Sequence, residues 1–139
     1  DGDIRLSSGM SDVYAPGILL NESNIREWHK ALQKTNIHLG SYEDLTIPKN
    51  SFIFCDPPYR STSVNYGNGF SDEDHVKLIE WCRQHSQKGN TVWLTNTDAG
   101  DGFFEDNAHD AFIKKIPYKF MVGGGTPKET TELLMIWNP

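Results

Sequence analysis

The chain has 139 residues and a net charge of −6, and 37% of its residues are hydrophobic and 23% charged. These values fit one soluble globular domain with its own core. Apolar runs of only a few residues exclude a transmembrane helix within this sequence. The two cysteines, Cys55 and Cys82, favour a reduced cytoplasmic protein over a disulfide scaffold, and each is predicted to be a small core hydrophobe.

The first forty residues predict little regular structure apart from one helix. Residues 4–6 and 13–14 have the composition of two short strands of a hairpin. Residues 21–35 predict a helix that Asn21 or Ser23 caps, with Glu22 favourably placed in its first turn. Residues 37–39 predict a short strand.

A short apolar run at residues 52–55 ends abruptly at Asp56-Pro57-Pro58-Tyr59. Its length and composition predict a strand buried on both faces. The two prolines stop the sheet ladder because neither has an N–H to donate, and Pro57 also biases Asp56 away from helical geometry. The sequence therefore predicts a rigid, extended turn at the carboxyl end of a buried strand, where open α/β sheets bind ligands.

This turn carries groups that suit a planar ring with an exocyclic amine. The Asp56 carboxylate and the Pro57 carbonyl both accept hydrogen bonds, and Tyr59 offers a flat aromatic face. An amine could donate one hydrogen to each acceptor while its ring stacks on Tyr59. An ordinary Pro-Pro loop after a core strand is the alternative that these four residues leave open.

A polar, glycine-containing stretch at residues 60–70 has the composition of a mobile lid, with Tyr66 and Phe70 as candidates for closing a pocket. Ser71 then caps a helix whose first turn is acidic. Four residues of this helix are predicted to face the core at helical spacing: Val76, Leu78, Ile79 and Cys82.

The remaining elements predict an α/β fold. Residues 91–95 form a second apolar strand, so strand, helix and strand follow one another as a βαβ unit with a parallel sheet. Residues 100–111 are irregular or weakly helical. Residues 112–122 and 130–137 predict a C-terminal antiparallel hairpin.

Positive charge is concentrated in one segment. Residues 111–128 contain four lysines and no acidic residue, namely Lys114, Lys115, Lys119 and Lys128. They predict a local basic face that could contact nucleic acid in spite of the negative net charge. A solvated charged surface is the alternative that charge alone leaves open.

Three separated motifs resemble one enzyme family. They are the Asp56-Pro57-Pro58-Tyr59 turn, the strand-then-Asn element Leu94-Thr95-Asn96, and the tail Gly124-Gly125-Thr126 through Glu132-Leu133-Leu134. Together they resemble the Dam-type (D12 class) DNA adenine-N6 methyltransferases over most of the chain from about residue 18. The resemblance implies a partial Rossmann-like methyltransferase sheet. Residues 21–139 would be the C-terminal part of the catalytic domain, and residues 1–20 the end of a target-recognition segment or a linker.

The resemblance also implies roles for particular residues. S-adenosylmethionine would be the methyl donor, and an adenine flipped out of double-stranded DNA would be the acceptor, in a cytoplasmic protein of a bacterium or phage. The implied catalytic residues are Asp56, Pro57, Pro58 and Tyr59; Phe54, Cys55 and Asp56 would touch the cofactor, and Tyr66 and the four lysines would touch DNA. The family requires no metal and no cysteine nucleophile.

Part of the family pattern is missing from this sequence. The Phe-x-Gly-x-Gly loop that binds the methionine portion of the cofactor is absent, as is the acidic residue that holds its ribose. The chain is therefore predicted to be a C-terminal half that binds cofactor weakly when alone, with the N-terminal half of the same enzyme as a candidate partner. A truncation, a half that pairs with another chain and a degenerate gene all fit this pattern.

Other functions stay open at this point. RNA guanine-N2 methyltransferases also carry Asp-Pro-Pro-Tyr, although the tail of this chain argues against them. Protein glutamine methyltransferases usually have Asn in place of Asp56. A non-catalytic DNA-binding or regulatory remnant is the alternative from a different class.

Overall fold

The computed structural model describes residues 21–60, 69–120 and 128–139, and the chain divides into two compact units, Asp1–Ser41 and Tyr42–Pro139. In the first unit the described residues form one helix, α1 (Glu22–Leu32), which confirms the predicted helix. The Asn21 side chain caps it by accepting a hydrogen bond from the Asn24 N–H at 3.2 Å. The predicted hairpin at residues 4–6 and 13–14 lies outside the described residues.

The strand predicted at residues 37–39 is wrong, because this segment has no regular secondary structure. Ile37 and Leu39 are both exposed. No strand in the described part of the chain pairs with them. An extended segment without a hydrogen-bonding neighbour gains nothing over an irregular one, so the apolar pattern alone does not make it a strand.

The second unit contains a four-stranded sheet. Its elements are a 3-10 turn (Tyr42–Asp44), β1 (Phe52–Cys55), α2 (Asp72–Gln87), β2 (Thr91–Thr97), α3 (Phe103–Asn107), β3 (Phe112–Phe120) and β4 (Lys128–Trp137). The strand order is β1-β2-β4-β3, with β1 parallel to β2 and the other pairs antiparallel. The α/β class, the βαβ unit and the C-terminal hairpin are therefore confirmed. Across the described ranges, no helix is both long enough and apolar enough to cross a membrane.

Helix α2 begins at the predicted cap. The Ser71 hydroxyl accepts a hydrogen bond from the Asp74 N–H, and the Asp74 carboxylate accepts one from the Ser71 N–H, which completes a capping box. The buried residues of α2 are His75, Leu78, Ile79, Cys82, His85 and Ser86. Val76 was predicted to face the core but is 40% exposed, because it lies about 100° around the helix from His75, whose ring takes the inward position.

One face of the sheet and α2 enclose the core. Alternate residues of the two central strands point inward: Val92 and Leu94 on β2, and Leu133, Met135 and Trp137 on β4. The helical side chains of α2 and Phe104 of α3 pack with them in one cluster. This period of two is what the pleat of a strand produces when only one face is covered.

The prediction that β1 is buried on both faces is wrong. Phe52 and Phe54 are 59% and 55% exposed, whereas Ile53 and Cys55 are half-buried. The reason is that β1 pairs only with β2 in the described part of the chain, and α2 covers only one face of the sheet. The register places Phe54, Trp93, Ile136 and Phe112 in one row across all four strands of the other face, which we call the outer row.

This asymmetry predicts very different costs for truncating apolar residues on the two faces. Leu94→Ala should lower the free energy of unfolding by about 2–5 kcal/mol, because Leu94 is buried in the core. Phe112→Ala, the control on the outer row, should lower it by less than about 1 kcal/mol, because Phe112 is 65% exposed. Urea unfolding measures both, and equal costs would contradict the one-sided core.

Candidate active site

The turn that follows β1 lies beside the end of β2. Cys55 is paired with Leu94 in the parallel register, so the next residues along the two strands, Asp56 and Thr95, are neighbours. The Thr95 hydroxyl donates a hydrogen bond to Asp56 Oδ1 at 2.9 Å. Asp56 is exposed, and this bond fixes the direction in which its carboxylate points.

Tyr59 is held from the other side by β4. Its hydroxyl donates a hydrogen bond to Oε1 of Glu132, which is opposite Thr97 of β2 in the antiparallel register. The pKa of Tyr59 is raised above its ordinary value, first because burial disfavours the phenolate and then because the hydroxyl is bonded to the Glu132 carboxylate. The ring is therefore anchored at its hydroxyl end as well as at its backbone.

The backbone of the turn is bonded to two buried side chains. The Arg60 N–H donates to Asn96 Oδ1 at 2.9 Å, and His75 Nε2 lies 3.1 Å from the Pro58 carbonyl oxygen. Asn96 comes from β2 and His75 from the first turn of α2. Side chains thus satisfy backbone groups that have no strand partner.

The Arg60 side chain closes the far end of the turn. Its guanidinium lies 3.8 Å from the centroid of the Phe103 ring, a cation–π distance. It also donates hydrogen bonds to Asp72 at 2.7 Å and Asp101 at 2.9 Å. These bonds lower the pKa of both carboxyl groups. The turn is in this way connected to the starts of both α2 and α3.

A cavity of about 310 Å³ opens beside the turn. It is lined by apolar and aromatic side chains, together with the first part of the motif: Tyr42, Leu45, Ile47, Ile53, Phe54, Cys55, Asp56, Pro57, Pro58, Phe70, Leu78 and Trp81. The rings of Tyr42 and Trp81 meet edge to face at 5.4 Å. Apolar walls with a single carboxylate are typical of small-molecule pockets.

The structure brings some of the predicted site residues together. The predicted cofactor residues Phe54, Cys55 and Asp56 all line the cavity, whereas Tyr59 is not among its lining residues. Phe70, a candidate for closing a pocket, lines it as well. Tyr66 lies outside the described residues. Among the residues that are described, no group of three or more His, Cys, Asp or Glu side chains could hold a metal ion.

The described residues 111–120 of the predicted basic segment contain β3, and their lysines lie on both faces of the sheet. Lys115 makes ion pairs with Asp98 and Glu105, each at 2.8 Å, and Lys119 pairs with Glu129 at 3.1 Å. Lys114 points to the opposite face from Lys115, in register with Leu134 of β4. The side chain of Lys128 lies outside the described residues. A DNA contact by these lysines stays a prediction.

The two cysteines lie close together without a bond. Their sulfur atoms are 3.9 Å apart, with Cys82 fully buried and Cys55 half-buried. Both are free thiols, as predicted for core cysteines. A hydrogen bond from Cys82 lowers the pKa of Cys55, against the opposing effect of burial.

Sequence reasoning missed five side chains that hold the turn. They are Thr95, Asn96, Glu132, His75 and Arg60. A signal existed for three of them, since Thr95, Asn96 and Glu132 stand inside motifs that resemble the methyltransferase family. His75 shares the helical spacing of Leu78, Ile79 and Cys82, which indicates an inward position but no hydrogen-bonding role.

Comparison with known proteins agrees with the motifs. A sequence model of the D12 class N6 adenine-specific DNA methyltransferases matches residues 12–122. The chain belongs to this family. The chain is similar to the retron Ec67 DNA adenine methylase of Escherichia coli, which is 23% identical over 120 residues, covering 83% of this chain and 41% of the relative. The type II methyltransferase M.CviBI of Paramecium bursaria Chlorella virus NC1A is 27% identical over 140 residues, covering 97% and 52%. The chain spans about half the length of these two relatives.

The Glu132 contact changes what is expected of Tyr59→Phe. On the sequence alone, this variant is expected to be nearly silent, because the resemblance implies that the ring and not the hydroxyl stacks on a base. With the hydroxyl bonded to Glu132, we expect a double-mutant cycle of Tyr59→Phe and Glu132→Ala to give a coupling energy of about 1 kcal/mol in the free energy of unfolding. The control is the cycle with Glu129→Ala, on the same strand, which should give no coupling; an equal value in the two cycles would exclude a specific bond.

Proposed function

We propose that this chain is the C-terminal part of a cytoplasmic, site-specific DNA adenine-N6 methyltransferase, which transfers a methyl group from S-adenosylmethionine to the N6 amine of a flipped-out adenine. Residues 21–139 would belong to the catalytic domain, and residues 1–20 to the end of the target-recognition segment or a linker. The observation that carries the proposal is the Asp56 carboxylate, held by Thr95 on an exposed turn at the mouth of an aromatic cavity. The name of one relative, a DNA adenine methylase, favours DNA over RNA as the substrate.

The cavity supports part of a cofactor site. Its volume of about 310 Å³ is at the lower end of the range for small-molecule pockets, which suits one part of S-adenosylmethionine and not the whole molecule. The rings of Tyr42, Phe54 and Trp81 supply faces and edges for a planar base, and Asp56 supplies an acceptor. When bound, the cofactor provides a sulfonium methyl group that is open to in-line attack.

The turn would act on the adenine by holding its amine. The N6 lone pair is delocalised into the ring, which makes it a poor nucleophile. Hydrogen bonds from the amine to Asp56 and to the Pro57 carbonyl favour a tetrahedral nitrogen and localise this pair. Because Thr95 already fixes Asp56, little reorganisation is needed when the base arrives, and preorganisation of this kind is a large part of catalysis.

Tyr59 would receive the base. Flipping an adenine out of the duplex costs a few kcal/mol, and stacking on an aromatic side chain returns about 1–3 kcal/mol. The bond to Glu132 holds the ring in one orientation. The ring is therefore already ordered in the folded protein, and little conformational entropy is lost when the base binds. Cys55 needs no nucleophilic role, since this methyl transfer forms no covalent enzyme intermediate.

The outer row supports a partner on the uncovered face of the sheet. Phe54, Trp93, Ile136 and Phe112 form an apolar strip across four strands, and the edge-to-face rings of Phe52 and Trp93 extend it. Contiguous apolar surface of this kind marks an interaction site. We assign it to the N-terminal half of the same enzyme, because the relatives are about twice as long as this chain.

Asp56 provides the test of this function. Asn keeps an oxygen that can accept from Thr95 and from the amine, whereas Ala keeps none. In the enzyme with both halves present, Asp56→Asn should retain measurable transfer of tritiated methyl from S-adenosylmethionine to adenine in duplex DNA, and Asp56→Ala should retain almost none. If the Asn variant is as inactive as the Ala variant, a charged carboxylate is essential and the acceptor mechanism is wrong. Absence of transfer by the unmodified enzyme would exclude the function itself.

Lys114 is the lysine best placed for DNA. It stands in one row with Leu134 and Thr95, about 10 Å from Thr95 across two strand spacings, and none of the ion pairs among the described residues includes it. We expect Lys114→Gln to reduce the slope of log affinity against log salt by about 0.9, the value for one lost phosphate contact. Lys77→Gln, on α2 behind the sheet, is the control and should leave the slope unchanged. If the two variants show the same salt dependence of DNA affinity, Lys114 makes no phosphate contact and is an ordinary solvated surface residue.

A further inference from the structure

His75 is a buried polar side chain that the proposed chemistry does not use. It is 2% exposed and lies in the first turn of α2. Aromatic rings surround it edge to face, with Phe70 at 4.6 Å and Phe104 at 5.9 Å between centroids. A histidine in such an apolar setting needs hydrogen-bond partners for both ring nitrogens.

One ring nitrogen has a defined role. Nδ1 lies 2.9 Å from the carbonyl oxygen of Ser71, one helical turn earlier. A carbonyl only accepts hydrogen bonds, so Nδ1 carries a hydrogen and donates it. The neutral tautomer with its hydrogen on Nε2 alone is thereby disfavoured.

The other ring nitrogen faces two groups with opposite requirements. Nε2 lies 3.1 Å from the Pro58 carbonyl oxygen and 3.3 Å from Asn96 Nδ2. The orientation of the Asn96 amide is fixed, because its Oδ1 accepts from the N–H groups of Arg60 at 2.9 Å and Thr97 at 3.0 Å. Asn96 therefore presents N–H to His75, whereas Pro58 presents an acceptor.

His75 holds the turn in either protonation state that Nδ1 allows. When the ring is neutral, Nε2 accepts from Asn96, and Asn96 in turn binds the Arg60 N–H. When the ring is charged, Nε2–H donates directly to the Pro58 carbonyl. Each arrangement keeps the hydrogen bond to Ser71 and one of the two contacts of Nε2. In each, the Nε2 contact holds the backbone on one side of Tyr59, at Pro58 directly or at Arg60 through Asn96.

We propose that His75 is a positioning residue for the Asp56-Pro57-Pro58-Tyr59 turn, acting through Nε2 and the Asn96 amide without touching substrate. Its consequence for catalysis rests on the proposed methyl transfer. Proline supplies no N–H with which the turn could bond to a neighbouring strand, so its orientation depends on such side-chain contacts. A turn that is free to shift moves Asp56 and Tyr59 out of line with the amine, which lowers turnover more than binding.

Two substitutions separate the ring nitrogens. Gln places an amide close to the position of Nε2, whereas Asn places one close to Nδ1 and does not reach Pro58. We expect His75→Asn to speed hydrogen exchange of the Arg60 amide by about tenfold, the loss of one buried hydrogen bond, and His75→Gln to keep it within about threefold of the unmodified protein. With both halves of the enzyme present, His75→Asn should lower kcat about tenfold with KM for DNA nearly unchanged, and His75→Gln should restore kcat.

The control is His85→Asn, a second buried histidine at the other end of α2, whose ring lies against Trp81. It should leave Arg60 exchange and kcat as they are. Unchanged Arg60 exchange in His75→Asn would overturn the proposal, as would equal effects of Asn and Gln or equally faster exchange of the Leu94 amide in the core. The exchange measurement needs no activity, so it decides the role of His75 even if the unmodified enzyme fails to methylate adenine, an outcome that would remove only the proposed function.

Discussion

The site depends on a turn that cannot support itself. Two consecutive prolines give the Asp56-Pro57-Pro58-Tyr59 segment no N–H at its two central positions, so it cannot join a ladder of backbone hydrogen bonds. Other elements supply the bonds instead: Thr95 to Asp56, Glu132 to Tyr59, and the Asn96 and His75 pair to the backbone around Pro58 and Arg60. The rigidity of this turn is therefore a property of the whole sheet and of α2, and not of the motif.

The strand order explains how these distant residues meet. Glu132 is 73 residues from Tyr59 in the sequence and reaches it because β4 inserts next to β2. Had the hairpin been added with β3 beside β2, a different strand would adjoin the end of β2 and Glu132 would lie one strand further away. The parallel pairing of β1 with β2 likewise makes Asp56 and Thr95 neighbours, since both follow the same register. The antiparallel β4 thus contributes directly to the site, although the sequence predicted it only as half of a terminal hairpin.

Much of the fold could be predicted from local patterns, because those patterns act locally. The Ser71 cap follows from residues three positions apart, and the βαβ order and the hairpin follow from the order in which short local patterns succeed one another along the chain. The two wrong strand predictions have a common cause, because both depend on neighbouring elements that a local sequence pattern does not identify. An apolar run at residues 52–55 has the same composition whether one face or two are covered, and residues 37–39 need a neighbouring strand that no local signal supplies. The supports of the turn were missed for the same reason, since Glu132 and His75 act through contacts that only the strand order and the helix position create.

The cavity and the exposed face of β1 both result from the position of β1 at the edge of the described sheet. Ile53, Phe54 and Cys55 are consecutive, so their side chains point to alternate faces, yet all three line the cavity. A pocket that touches both faces of a strand must open along its edge, and β1 is an edge strand of the described sheet. Whatever pairs with that edge and covers Phe54 would also form the missing wall of the cavity. If the cavity is the proposed cofactor pocket, its completion and the assembly of the proposed catalytic domain would be the same event. The weak cofactor binding expected of the chain alone would then follow from an open strand edge as much as from the absent glycine loop.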